Sequence, residues 1–538
     1  MPWRVWVAGL WVGSLALLFT HLGDLPLRDW DESLVARVAE EISLRPFPVN
    51  LLPTLWWQPY LNKPPLLHAL IAGLIQLWRG AAPVETLRQV PPEWVVRAVP
   101  AFCSSLIVPL VAMVQWRLRP GDRLAAISTA AVALTLLPLM RHGRLAMLDG
   151  TLIAAMTLQW WALLSLSAQP TASAARRWGL IAGLAGSVIL LLKAPASLPL
   201  LAGACLLLAL ERRWPLRTWL PLLGWVGVGL LPGLFWHGWH LWERGPDALK
   251  MWNGQGLARV VSQLEGHSGG LLVPVVEVLE GGWPWLVLWP FAMLLAWRQR
   301  HQRWGYWVLG LTLLTAAAVL PLKTQLPWYS HLLWPSFALA VGPLFALLIT
   351  RDGRASAWLK RALVALPFLW LLAGALLLLV SARIPVSLAV TLPAGLALLV
   401  GGSLLLARQE RRRRLGGGLM VLFLWVALLD LFSSPIWLWE LQETWAVRPV
   451  VGWLQASAAA DPAPILLQAE DRPSLNWYLG RELATGRKAR RLLRDGGAER
   501  LVLSAHDPSN GAVSCRLEQS APDLASEAPG LFRCTPVH

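Results

Sequence analysis

The chain has 538 residues, of which 56% are hydrophobic and 14% charged, and its mean hydropathy is +0.51. That balance excludes an ordinary soluble protein of this length, which needs a far more polar surface, and places the chain among membrane proteins. The formal net charge of +16 would suit a nucleic-acid partner, but the basic residues fall in short clusters between apolar runs, so no nucleic acid is expected.

The first apolar run, Val5 to Phe19, follows Arg4 and lacks a small-residue cleavage site; it reads as a retained signal-anchor helix. Crossing a bilayer takes about 17–25 apolar residues. Runs of that kind occur at 5–20, 94–116, 124–140, 145–168, 178–192, 195–210, 218–241, 283–297, 304–321, 329–350, 362–380, 387–407 and 415–435. The chain is therefore expected to be an all-α polytopic membrane protein with about 13 transmembrane helices. Its 35 tryptophans suit the two interfacial belts of such a protein.

With the N-terminus cytoplasmic, the cytoplasmic segments carry 21 Lys and Arg against Asp122, Glu211, Asp352 and Glu410. The short external loops hold only Arg141, Arg144, Lys193, Lys323 and Arg383. This bias predicts a multi-pass protein with its C-terminal end on the external side; the membrane expected is a bacterial-type plasma (inner) membrane, with the periplasm as that external side. The run Pro65 to Trp78 is only 14 residues long. Runs that short favour an interfacial helix over a span. Residues 21–93 accordingly read as an external loop with helices lying on the membrane, one of them Glu32 to Ile42 with apolar residues at helical spacing. Residues 243–282 form a second external loop, and 1–435 together make the membrane domain.

From 436 to 538 the composition changes to that of a small external α/β domain. Its expected strands are Ile465–Leu467 and Leu501–Leu503; a helix over Ser474–Leu483 and a basic 487–494 segment lie between them. Cys515 and Cys534 both fall there, as a disulfide or as two free thiols, whereas Cys103 and Cys205 lie in spans.

Apolar packing does not explain the polar residues that this topology gathers on the external side: Asp31, Glu32, Lys63, Asp149, Lys193, His267, Lys323 and Tyr329. Charges at a membrane boundary cost several kcal/mol and usually mark a polar cavity. Each also has a plainer reading. Asp31 and Glu32 suit a solvated helix start, Lys63 and Lys193 suit snorkelling, Asp149 a plain interfacial acid, His267 an ordinary loop, and Lys323 and Tyr329 interfacial anchoring. As a set, lysines suit an anionic phosphate and a carboxylate suits taking a proton from a hydroxyl.

Four stretches in order carry a family resemblance: Arg28-Asp-Trp-Asp-Glu32 leading to Ala39-Glu-Glu-Ile42; Tyr60-Leu-Asn-Lys-Pro-Pro-Leu66; Arg144 through Asp149; and Gly266-His267 followed by Gly282-Trp-Pro-Trp285 and Leu326-Pro-Trp-Tyr329. Over roughly 1–435 the chain resembles the membrane glycosyltransferases of family 39 and their relatives, among them the protein O-mannosyltransferases and the aminoarabinose transferase of lipid A. The resemblance implies a C-type glycosyltransferase fold. It also implies transfer of a sugar from a polyprenyl-phosphate donor to a lipid, protein or glycan acceptor at the external membrane face. By that likeness Asp31 is the general base or acceptor-orienting carboxylate, Glu32 supports it, and Asp149 is a second acid. Lys63 and Lys193 hold the carrier phosphate and Tyr329 lines the donor site, with His267 and Lys323 also in the binding set.

The chain departs from its relatives at two places. Leu34 and Val35 stand where the aminoarabinose transferase has an Arg-Tyr pair, and Asn62 stands where some relatives have a metal-binding glutamate. A site built with His267 thereby loses its carboxylate, so no cofactor is assigned and use of a divalent metal ion stays open. A polytopic lipid or sugar transporter or flippase is the alternative activity, though no internal repeat supports it; an inactive binding scaffold is a third.

Overall fold

The computed structural model describes residues 2–536 except 82–89, 169–170, 255–257, 263–269, 271, 352–355, 439–444, 461–464, 468–470, 496–499, 510–512 and 520–528. The chain opens with α1 (Trp3–Phe19) and a π-helical turn, Asp29–Ser33, that leads into α2 (Leu34–Leu44). A two-stranded antiparallel hairpin, β1 (Thr54–Leu55) and β2 (Gln58–Pro59), precedes α3 (Leu66–Ala81). Then come α4 (Glu93–Ser105), α5 (Ile107–Leu118), α6 (Arg123–Leu134), α7 (Leu137–Gly143), α8 (Leu148–Ala168), α9 (Ala172–Leu190), α10 (Ala194–Arg212) and α11 (Leu216–Arg244). Three short helices follow, α12 (Lys250–Trp252), α13 (Ala258–Val261) and α14 (Leu272–Gly281). The apolar series ends with α15 (Trp289–Arg298), α16 (Arg303–Val319), α17 (Trp334–Thr350), α18 (Ala357–Val380), α19 (Leu388–Leu405) and α20 (Glu410–Phe432). The remainder alternates: α21 (Val447–Ala460), β3 (Ile465–Leu467), α22 (Pro473–Leu479), β4 (Ala484–Thr485), α23 (Gly486–Asp495), β5 (Arg500–Ser504), β6 (Val513–Gln519) and β7 (Gly530–Pro536).

Two compact units make up the chain. One comprises Met1–Leu22, Leu61–Leu67 and Ala98–Trp437; the other comprises Gly23–Tyr60, His68–Arg97 and Leu438–His538. The stretch expected to be a loop on the membrane thus falls largely in the same unit as the C-terminal α/β module.

Each of the thirteen apolar segments read from the sequence coincides with a helix or a bent helix pair. Among the described residues seven helices are long and apolar enough to span a bilayer, or nine if each bent pair is one span. The four other segments are the helices α1, α9, α10 and α16, of 17 to 19 residues. The bends have local causes. α6 and α7 meet at 57°, where Thr135 ends one helix and Pro138 occupies the first turn of the next. α14 and the segment Trp285–Arg298 meet at 108° beside Pro284.

Some arginines of the predicted cytoplasmic loops are not solvated. Arg413 is buried and donates to the carbonyls of Ile349, Thr350, Ala407 and Arg408 at 2.7, 3.1, 3.1 and 2.6 Å. It thus satisfies orphan carbonyls where α17 and α19 end.

Helices α9 and α11 pack through small residues. A Cβ added to Gly183 would lie 2.2 Å from the Val226 carbonyl oxygen, and one added to Gly229 would lie 2.6 Å from that of Leu180. Backbones this close are the usual means of helix association where lipid removes the hydrophobic drive.

In the second unit β3, β4, β5, β6 and β7 form a mixed sheet of order β4-β3-β5-β7-β6. β3 runs parallel to β4 and β5, and β7 antiparallel to β5 and β6. Alternation along β5 loads both faces. Leu501 and Leu503 join Val450 and Leu454 of α21 and Leu475 of α22, while Val502 joins Ala489 and Leu493 of α23. The expected α/β module is present, and a disulfide joins Cys515 to Cys534, which pair across β6 and β7. The expected helix Ser474–Leu483 stops at Leu479 because Gly480 takes a left-handed φ of 67°.

Gly183→Leu is expected to force α9 and α11 apart. Overpacking costs about 1–3 kcal/mol or more, so the purified variant should melt lower or aggregate, whereas Gly9→Leu, with open space beside it, should not.

Candidate functional site

In the first unit the turn between α9 and α10 gathers several of the predicted residues. Asp149 stands in the first turn of α8, where the helix dipole favours an acid. Lys193 stands at the N-cap of α10, and its Nζ donates to Asp149 Oδ1 at 3.2 Å. The same ammonium lies 4.6 Å from the Tyr329 ring centroid, a cation–π distance. Tyr329 Oη in turn accepts from Arg259 Nη1 at 2.8 Å, with both residues buried. Burial opposes the charge on Lys193, but the Asp149 carboxylate and Tyr329 hold the ammonium above its ordinary value.

Two predicted lysines stand in different relations to this cluster. The backbone N–H of Leu66, three residues after Lys63, donates to the Leu191 carbonyl at 3.3 Å, so the Lys-Pro-Pro segment is fastened to the turn that carries Lys193. Lys63 is half-buried. Lys323 has an exposed side chain; only its backbone N–H contributes, donating to the Arg259 carbonyl at 2.9 Å. His267 lies outside the described residues.

Sequence reasoning missed Arg259, which sits on the short α13 with no motif around it. It also missed His331, two residues beyond Tyr329, whose buried ring meets His142 at 4.2 Å between centroids. Arg144, which begins the third motif, is structural. Fully buried, it donates to the carbonyls of Leu17 and Thr20 and lies 4.5 Å from the ring centroids of both Phe432 and Trp437.

In the second unit the acidic motif occupies the π-helical turn. Ser33 N donates to the Arg28 carbonyl at 2.9 Å, closing the wider ring; such turns are frequent at functional sites. Glu32 is fully buried and receives Arg97 at both oxygens, Nε to Oε1 at 2.8 Å and Nη2 to Oε2 at 2.6 Å. Asp29, also buried, is paired to Arg472 at 2.5 Å and caps α22 through the Ser474 N–H at 2.8 Å. Between these two anchored acids Asp31 is half-buried and Trp30 exposed. Asp31 lies near enough to Tyr60 to act on it electrostatically. Burial, and after it the Asp31 charge, pushes the Tyr60 phenol well above its ordinary pKa and keeps it protonated.

Along α2, Arg37 pairs with Glu40 and Glu41, both at 2.9 Å, and its guanidinium lies 4.1 Å from the Trp56 ring centroid. Leu34 and Val35, standing where relatives have Arg-Tyr, place no charge in this turn. Among the described residues no group of three or more His, Cys, Asp and Glu is close enough to hold a metal ion. The divalent-ion site considered from the sequence would include His267, which lies outside those residues.

Residues 59–240 match the family model of dolichyl-phosphate-mannose-protein mannosyltransferases. That stretch holds Lys63, Asp149 and Lys193. Among solved structures, ArnT from Cupriavidus metallidurans bound to undecaprenyl phosphate superposes with a TM-score of 0.72 at 18% identity, covering 98% of each chain. The apo form of that protein gives 0.71 at 18% identity, again over 98% of each chain. The fold is that of the C-type glycosyltransferases. That fold extends over the whole chain, α/β module included. No curated protein matches the sequence.

The geometry separates two neighbouring acids of the C-type fold by a measurable cost. Glu32→Gln breaks a buried bidentate ion pair and is expected to lose about 3–5 kcal/mol of stability. Asp31→Asn, nearly isosteric at a half-buried rather than a fully buried position, should lose less than Glu32→Gln. Thermal melts of the two variants in one detergent check the difference.

Proposed function

We propose that this chain is a membrane glycosyltransferase that transfers a sugar from a polyprenyl-phosphate-linked donor to an acceptor at the external, periplasmic membrane face. The observation that carries this reading is the cluster Lys193–Asp149–Tyr329–Arg259. Lys193 and Arg259 are two cations brought together through Tyr329, and a lipid phosphate is an anion that such a pair can hold by charge-assisted hydrogen bonds. Lys63, on the segment bonded to Leu191, adds a third cation. The match of 59–240 to a family named for a dolichyl-phosphate donor supports the same chemistry, as does the likeness to ArnT crystallised with undecaprenyl phosphate. The external face rests on the arginine bias of the loops.

The reaction is a displacement at the anomeric carbon. Asp31 takes the proton of an acceptor hydroxyl, the hydroxyl oxygen bonds to the anomeric carbon, and the bond from that carbon to the phosphate oxygen breaks. The carrier leaves as a polyprenyl phosphate anion. That leaving group is already stable, so cations that hold its charge matter more than an acid. Lys63, Lys193 and Arg259 supply them. Tyr329 orients both Lys193 and Arg259, and Asp149 keeps Lys193 charged. Glu32 fixes the turn on which Asp31 stands.

Protein in nanodiscs supplied with polyprenyl-phosphate sugars should release free carrier phosphate. Asp31→Asn is expected to lower turnover by about a hundredfold or more with donor binding kept, as loss of a general base does. Arg259→Ala should raise the donor KM about tenfold or more. Full turnover by Asp31→Asn would sink the base assignment. Sugar crossing sealed proteoliposomes without carrier release would replace the reading with transport.

A further inference from the structure

The chain segment that leads into the acidic turn is held, residue after residue, by side chains from the C-terminal α/β module. Arg448 of α21 donates to the Asp24 carbonyl at 2.8 Å and pairs with Glu93 at 2.7 Å. Tyr478 of α22 donates to the same Glu93 carboxylate at 2.7 Å and accepts the Leu27 N–H at 2.9 Å. Asp29 is then gripped at both oxygens, by the Arg472 guanidinium at one and by the Ser474 N–H at the other. Arg472 is itself held by Trp445: it lies 3.9 Å from the ring centroid and donates to the Trp445 carbonyl at 3.3 Å. Asp29 and Arg472 are 1% and 4% exposed. A buried charge pair of this kind has one low-energy arrangement, because each partner is costly without the other.

We infer that the C-terminal module is the positioning device of the acidic turn, and that Arg472, acting through Asp29, is a positioning residue for Asp31. The inference rests on the reading of Asp31 as the proton acceptor. Asp31 is two residues beyond the Asp29 clamp and one before Glu32, which Arg97 holds from the other side. The π-helical turn between the clamps leaves the intervening carboxylate half-buried. The backbone that carries it is therefore held by an ion pair on either side in sequence. An aspartate placed by its neighbours responds to changes in them, and about 1 Å of misplacement can cost about a hundredfold in rate.

The test uses the full-length protein in nanodiscs, with donor turnover and amide hydrogen exchange measured on the same preparations. Arg472→Ala is expected to lower kcat about ten- to a hundredfold while the donor KM stays within about threefold, the signature of a misplaced group rather than a lost binding contact. The Ser33 amide, which closes the turn, should exchange faster. Asp29→Asn should behave alike. Arg472→Lys keeps the charge beside Asp29, folds if the alanine variant does not, and should recover part of kcat. Unchanged kcat in Arg472→Ala beside lost turnover in Asp31→Asn would overturn this inference alone. Full turnover in Asp31→Asn would overturn the base assignment and the inference with it. A fall in kcat with unchanged Ser33 exchange would also refute positioning through the turn.

Discussion

An ion withdrawn from water in a largely apolar protein must take its counter-charge with it, or be neutralised, and that requirement orders the charged residues of this chain. Glu32 meets it with Arg97, and Asp29 with Arg472. Glu40 and Glu41 meet it with Arg37, and Arg144 does so with carbonyls and two aromatic faces. Each of these groups is spent on holding the backbone in place. Asp31, lodged among them, is half-buried and keeps access to water. Glu32, held at both oxygens, cannot exchange a proton with an incoming hydroxyl without breaking its pair.

The same requirement explains the cluster around Lys193. An ammonium between a carboxylate and a ring face is compensated, yet its partner is a single monodentate contact of 3.2 Å on a side chain that retains some exposure. A phosphate oxygen competes on equal terms with such a partner. Arg259 is more deeply committed, since its backbone carbonyl also receives the Lys323 and Thr324 N–H groups. The cluster therefore combines a cation that can change partners with one whose place is fixed, in keeping with the proposed role of holding a lipid phosphate.

The α/β module gains a different meaning from its contacts. Its sheet is loaded on both faces by its own helices, so it folds around a core of its own. The residues it directs to the segment 24–29 are polar and specific: Arg448, Arg472, Tyr478 and the Ser474 N–H. Hydrogen bonds of this kind fix orientation more than they add stability.

The sequence by itself determined the membrane class, the thirteen helical segments, the module with its strands near 465 and 501, and the family-like motifs. These depend on composition and on local periodicity, both of which a linear chain displays. It also placed Asp149, Lys193 and Tyr329 in one set, because the loop charges put all three on one side of the membrane. Only the tertiary structure showed how the acids of Arg28-Asp-Trp-Asp-Glu32 are engaged, Glu32 by Arg97 and Asp29 by Arg472. Glu32 and Asp31 are alike in the chain, and their difference is made by Arg97 and Arg472, 65 and 443 positions away from Glu32 and Asp29. Arg259 and His331 were illegible for the same reason: no local pattern surrounds them, and their neighbours come from other helices. Arg413 and Arg144 gave the opposite error, looking like loop charge or motif while serving as caps and braces. A charged residue's role follows from its partner, and the partner is chosen by folding.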